Sequence, residues 1–209
     1  MKLAEKLAAW LEAGRADLGE VRIGRTAEGF ELHHYLDEPG ELQSYQQAED
    51  AIELGKLDAA GKYRPLRSAP TLQRGWRLEL GSLEDVVRAL EFFYPAMLGT
   101  AAAFEEKAGR PVDLRETLNR QSGMYRVAGK ITNEQADALI GEVCPPNRCL
   151  KTITWQIEPG VAITSLPAGK LELGHDLLEC GRGFIPLPCE ECCNILVAAA
   201  RETVKRAPA

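Results

Sequence analysis

Cys189-Glu190-Glu191-Cys192-Cys193-Asn194-Ile195-Leu196-Val197-Ala198-Ala199-Ala200-Arg201 is the stretch on which the fold turns. A knot of thiols runs straight into an apolar, alanine-rich segment, and Pro188 stands just before it. This pattern predicts a helix from about Cys189 to Arg206. A thiol at a helix start meets outward-pointing N–H groups and the positive end of the dipole, which stabilise its thiolate. Cys192 or Cys193, three or four residues on, would share a helix face with Cys189.

Working outward, all 6 cysteines fall between Cys144 and Cys193. A second knot, Cys144-Pro145-Pro146-Asn147-Arg148-Cys149, supplies another pair on a proline-stiffened loop, and Cys180 lies between the two. Two such pairs meeting in space make a four-thiolate cage. Zinc takes four thiolates tetrahedrally, and an iron–sulphur cluster takes four with looser spacing rules, so the spacings fit either. Two features tilt the choice toward iron–sulphur. No glycine- and aromatic-rich ribbon surrounds the pairs, and Arg126, Lys130, Arg148, Lys151 and Arg182 crowd the neighbourhood. A cluster with four thiolates carries a net charge of about −2 that cations offset, although a zinc tetrathiolate carries the same charge.

The 209 residues suffice for one large domain or two small ones, and 45% hydrophobic with 27% charged residues is ordinary for a globular chain. A net charge of −6 argues against a nucleic-acid partner. No apolar run suggests a membrane span, and the opening Met1-Lys2-Leu3-Ala4-Glu5-Lys6-Leu7 lacks a secretory core. The expectation is a cytoplasmic protein, in a compartment where structural disulfides are rare.

Leu3, Leu7, Trp10 and Leu11 predict an opening helix that ends near Gly14. Val21 with Ile23, and then Phe30, Leu32, His34 and Leu36, show a two-residue period and predict a small antiparallel sheet. Ala48 to Leu57 reads as a helix, and Tyr63 to Pro70 as an extended basic stretch where a boundary is possible. Ser82 opens a helix that Pro95 kinks or interrupts, with Ala96 to Lys107 helix-prone beyond it. Asp113 to Gln121 reads as helix. Thr132 and Gln135 form a capping box for a helix that must stop at Cys144, because Pro145 and Pro146 cannot continue it. Thr152 to Ile157 is strand-like.

Tyr63-Arg64-Pro65-Leu66-Arg67-Ser68-Ala69-Pro70, Arg74-Gly75-Trp76-Arg77-Leu78, Phe93-Tyr94-Pro95-Ala96 and Arg120-Gln121-Ser122-Gly123-Met124-Tyr125-Arg126 lead in order to the two cysteine knots. This series resembles the [4Fe-4S]-binding C-terminal region, with its stabilising domain, of some bacterial CbiX-like chelatases of the cobalamin and sirohaem branch of tetrapyrrole biosynthesis. The similarity spans residues 26–206. It implies an α+β fold: a stabilising domain over 1–110, with a small antiparallel sheet and helices, packed on a mostly helical cluster-binding domain over 111–209. It also implies one [4Fe-4S] cluster on Cys144, Cys149, Cys189 and Cys193. Cys192 and Cys180 stand as alternates, and the fourth ligand stays open between Cys192 and Cys193. The chelatase domain itself, with its histidines and paired α/β lobes, is not found in this chain. The expected role is an electron-transfer or redox-sensing accessory to which chelatase activity does not transfer, beside a separately encoded chelatase or redox partner; ligation by only three cysteines would leave an open iron and a catalytic role.

Two other classes compete: a zinc-stabilised interaction module, and a metal-inserting enzyme. His33 and His34 should face opposite sides of a strand, one packed and one exposed, rather than bind metal; His175 reads as a loop histidine. Glu190 and Glu191 read as first-turn helix acids. Arg64, Arg67, Arg74 and Arg77 are read as solvated charges, with an anion site for a carboxylate-rich tetrapyrrole as the competing role. Trp76, Trp155, Phe92, Phe93 and Tyr94 read as core, and the resemblance places Tyr125 and Arg126 beside the cluster.

Overall fold

The computed structural model describes residues 2–38, 40–64, 66–120, 127–144, 149–163, 170–172 and 183–206. The chain divides into two compact units, one built from residues up to Ala108 together with 183–187, the other from Gly109 onward together with Pro188 and beyond. The class is α+β.

In the first unit, α1 (Leu3–Glu12) buries Leu7 and Trp10, as the apolar spacing demands. Strands β1 (Asp17–Leu18), β2 (Val21–Arg25), β3 (Phe30–His34) and β4 (Gln43–Tyr45) follow, then α2 (Asp50–Lys56), β5 (Trp76–Leu80), α3 (Leu83–Phe93) and α4 (Met97–Glu105). The sheet has six strands, in the order returning strand Phe184–Ile185, β1, β2, β3, β5, β4. Its centre is antiparallel, with Ile23 opposite Leu32 and Leu32 opposite Leu78. Both edges are parallel: Leu18 pairs with Ile185, and β4 runs beside β5 with α2 in the connection. The sheet is thus mixed and larger than the expected antiparallel one. Leu32, Leu78, Val86, Leu90 and Phe93 are fully buried, and Trp76 stacks on Phe93 at 5.0 Å between ring centroids.

The Ser82 cap is realised, its hydroxyl accepting the Asp85 N–H. Pro95 interrupts rather than kinks: α3 stops at Phe93, and Ala96 adopts a left-handed φ of 62° before α4 starts afresh. Glu105 on α4 ties the helix back to α1, accepting from Trp10 Nε1 at 2.9 Å and pairing with Lys6 at 2.9 Å and with Arg15.

A polar group lies inside this unit. The Glu20 carboxylate is 4% exposed; it accepts the Leu72 N–H at 2.9 Å, sits 3.3 Å from His34 Nε2 and 3.7 Å from Arg64 Nη2. The Glu20 N–H donates to the Tyr94 hydroxyl at 2.8 Å. Arg64 donates to the carbonyls of Gly55, Arg67 and Ala69. Its side chain is fully buried, so the solvated reading of Arg64 is corrected: a guanidinium with a carboxylate and several carbonyls around it can stay inside. Gly19, with φ +59°, fits because any Cβ there would lie 2.4 Å from the Tyr94 ring.

The second unit opens with β6 (Val112–Asp113) and α5 (Leu114–Arg120), then a 3-10 turn at Ala128–Lys130 and α6 (Asn133–Val143). Strands β7 (Thr152–Ile153), β8 (Trp155–Glu158), β9 (Val161–Ile163) and β10 (Lys170–Glu172) follow. β11 is the returning strand Phe184–Ile185 of the first unit, and β12 (Pro188–Cys189) leads to α7 (Asn194–Arg206). A four-stranded sheet runs β10-β9-β8-β6, and β12 pairs separately with β7. The unit therefore carries substantial sheet beside its helices. Leu114, Leu139, Ile140, Trp155, Leu196 and Val197 form its core. Among the described residues, no helix is long and apolar enough to cross a membrane.

Arg64→Leu leaves Glu20 buried without its cation and should cost about 3–5 kcal/mol, read as a fall in the urea midpoint. Tyr94 gives an alkaline signature. Burial, ahead of all other causes, pushes its hydroxyl up to about 12. An unfolded tyrosine ionises near pH 10 while the folded one keeps its proton, so this contribution is full below pH 10 and is lost toward pH 12. Tyr94→Phe should flatten that part of the pH–stability curve, worth roughly 3 kcal/mol.

Candidate metal centre

The helix α6 is set by the Thr132–Gln135 capping box, in which Thr132 Oγ1 accepts the Gln135 N–H and Gln135 Oε1 accepts the Thr132 N–H at 2.8 Å. It ends, as expected, with Cys144 as its C-cap, whose N–H donates to Ile140 O. The Cys149 N–H donates to Cys144 O at 3.2 Å, which ties the two cysteines together. Residues 145–148 lie outside the described residues.

The other pair departs from expectation. Cys189 does not start the final helix; it ends the short strand β12, where it pairs with Ile153 of β7. The Thr154 hydroxyl donates to Cys189 O at 3.1 Å and fixes that backbone. The helix begins at Asn194, so Cys189 and Cys192 or Cys193 do not share a helix face. The dipole advantage passes to Cys193: its carbonyl accepts the Val197 N–H at 3.0 Å, and its sulphur accepts the Leu196 N–H at 3.4 Å, as a capping hydroxyl would. Glu190 and Glu191 likewise precede the helix instead of forming its first turn.

The five described thiols come together. Cys144 feels Cys149, Cys189 and Cys193; Cys189 feels Cys149 and Cys193; Cys192 feels Cys189, Cys193 and Cys144. All five are free. Burial first, and the neighbouring thiols second, push Cys144 and Cys192 up to about 12. Burial pushes Cys189 up to about 11 against the pull of Lys151 and of the Trp155 indole, a rise where helix-start geometry predicted a fall. The Glu190 carboxyl is also raised, by burial and then by Glu191, with Lys151 opposing. Among the described residues, no three His, Cys, Asp or Glu side chains converge tightly enough for a single metal ion. The thiols share a neighbourhood rather than one point.

Of the expected cations, Lys151 acts on Cys189 and Glu190. Cys180, His175, Tyr125, Arg126, Arg148 and Arg182 lie outside the described residues. His34 is packed against Glu20 at 2% exposure while His33 is half-buried, on opposite faces of β3. The four arginines do not gather into an anion site. Arg64 is buried, Arg67 donates to Phe92 O, Arg74 pairs with Asp37 and Arg77 with Glu79. Two contributors escaped the sequence reading. Thr154 showed only as one more strand residue, and Trp155 only as core; no local pattern announces that either faces Cys189.

Thiolate donors on two chain segments, an N–H aimed at Cys193 and a nearby lysine suit an iron–sulphur cluster. Comparison with known proteins agrees. Residues 107–202, most of the second unit, match the family described as 4Fe-4S iron-sulfur cluster binding domain. Residues 3–107 match the DR2241 stabilising domain, and the chain belongs to that family. A search of curated proteins brings no match. Among solved structures, DR2241 from Deinococcus radiodurans is similar at 34% identity with a TM-score of 0.74, over 98% of this chain. It is described as a multi-domain protein with structural similarity to chelatases and two additional novel domains. This chain spans 42% of its length.

In metal-free protein the raised thiols stay protonated at neutral pH. Iodoacetamide should therefore modify Cys144, Cys189 and Cys192 far more slowly at pH 8 than in urea-unfolded protein. The rates, followed by peptide mass mapping, should climb only toward pH 11–12.

Proposed function

We propose that this chain binds one [4Fe-4S] cluster through Cys144, Cys149, Cys189 and Cys193, and serves as an electron-transfer or redox-sensing accessory to tetrapyrrole metal insertion of the CbiX-like kind. The observation that carries the reading is the meeting of thiols from the end of α6 with thiols from the segment between β12 and α7. Cys193 is preferred to Cys192 as fourth ligand because its sulphur already receives the Leu196 N–H at a helix start. Cys192 is 8% exposed and belongs to the apolar core of the unit.

When bound, such a cluster supplies one-electron chemistry. Four-cysteine ligation would leave no iron open to substrate, which supports electron transfer or sensing over catalysis. The link to chelatases rests on the likeness to DR2241. A separately encoded chelatase or redox protein is the partner this reading calls for, and the setting is cytoplasmic.

Anaerobic purification followed by iron, sulphide and zinc analysis tests the reading. The expected protein is brown, carries about four irons and four sulphides, and bleaches with dithionite. A colourless protein with one tightly bound zinc would replace it with the zinc-stabilised module. Within the brown protein, Cys144→Ser, Cys149→Ser, Cys189→Ser and Cys193→Ser should each strip or destabilise the cluster. Cys192→Ser and Cys180→Ser should keep iron near wild type; full iron in Cys189→Ser would overturn the ligand set.

A further inference from the structure

Each of the 3 tryptophans has an indole N–H to satisfy. Trp10 Nε1 donates to Glu105 at 2.9 Å, and Trp76 Nε1 donates to Gln73 O at 2.7 Å. Trp155 is different: its side chain is completely buried, and Nε1 has no hydrogen-bond partner among the described residues. An unmet buried N–H costs about 1–3 kcal/mol, so its position calls for an acceptor. None of the oxygens of the described residues takes the role.

The sulphur of Cys189 is the acceptor at hand. Trp155 heads β8, and Thr154, the residue before it, grips Cys189 O with its hydroxyl. The indole is near enough to Cys189 to favour its thiolate, though not in hydrogen-bond geometry to it. In the metal-free protein the Cys189 thiol instead donates toward Glu191 O at 3.6 Å. Once deprotonated for ligation, that sulphur has no proton to give and can only accept. The donor and the acceptor then match.

We propose that Trp155 is a positioning and potential-setting residue whose indole N–H donates to the Cys189 sulphur of the cluster-loaded protein. A hydrogen bond to a ligating sulphur draws off negative charge and favours the reduced cluster. Trp155 therefore holds the potential higher than the four thiolates alone would set it. The inference rests on the cluster reading of the same site, and the two fail differently. Absence of iron and sulphide from the wild-type protein defeats both, whereas equal potentials in two fully loaded proteins defeat only this one.

The test is Trp155→Phe in the full chain, loaded with cluster, with iron content and a spectroelectrochemical titration as readouts. The expected variant keeps its iron, and its equilibrium constant for one-electron reduction falls about tenfold, a shift of about 59 mV to more negative potential. A loaded variant at the wild-type potential overturns the proposal. Should the variant fail to load, the wild-type protein decides the matter. With tryptophan labelled by indole nitrogen-15, pulsed EPR of the reduced cluster should show a nitrogen-15 coupling, and its absence overturns the hydrogen bond.

Discussion

The pairing of β12 with β7 is the constraint on which the thiol site depends. Only two residues on each side take part, Pro188 opposite Thr152 and Cys189 opposite Ile153. Proline lacks an N–H, so this ladder is weak in itself. Its strength comes from both flanks. The Thr154 hydroxyl clamps Cys189 O, and Cys192, Leu196 and Val197 sink into the same apolar core as Leu139 and Ile140. That burial presses α7 against α6 and brings the late thiols to Cys144 at the end of α6.

Burial gives the site its chemical character. Several thiolates crowded in an apolar surrounding would repel one another and lose solvation, so Cys144, Cys189 and Cys192 keep their protons in the metal-free protein. A cationic iron core reverses the balance, because it replaces those protons with stronger partners. Lys151 is close enough to be felt at Cys189. The Leu196 N–H, aimed at the Cys193 sulphur, offsets negative charge there without adding a second full charge.

Much of the helical framework was legible in the sequence because its determinants are local. The Ser82 and Thr132 caps, the Pro95 break and the proline stop after Cys144 each act within a few residues, and each is found in place. The Trp76-Arg77-Leu78-Glu79-Leu80 alternation also carries a strand signal, which passed unused beside the arginine-rich reading of that region. The parallel edges were not legible, because Leu18 meets Ile185 from the far end of the chain. Nor was the strand at Cys189, since two residues show no period. Arg64 looked like surface charge for a related reason: its partner Glu20 lies far away in sequence, and its acceptors are carbonyls, which leave no trace in side-chain patterns.

The returning strand Phe184–Ile185 gives the chain a topology with consequences for evolution and engineering. The polypeptide leaves the first unit near Ala108, builds most of the second, comes back to complete the edge of the first sheet beside β1, and only then delivers Cys189. The two units are thus interleaved rather than strung in tandem. A recombination event or cloning junction at residue 108 would separate the first sheet from its outer strand and bare the backbone of β1 to foreign pairing. A cut there divides one sheet between two pieces of chain, because the edge strand of the first unit travels with the sequence of the second.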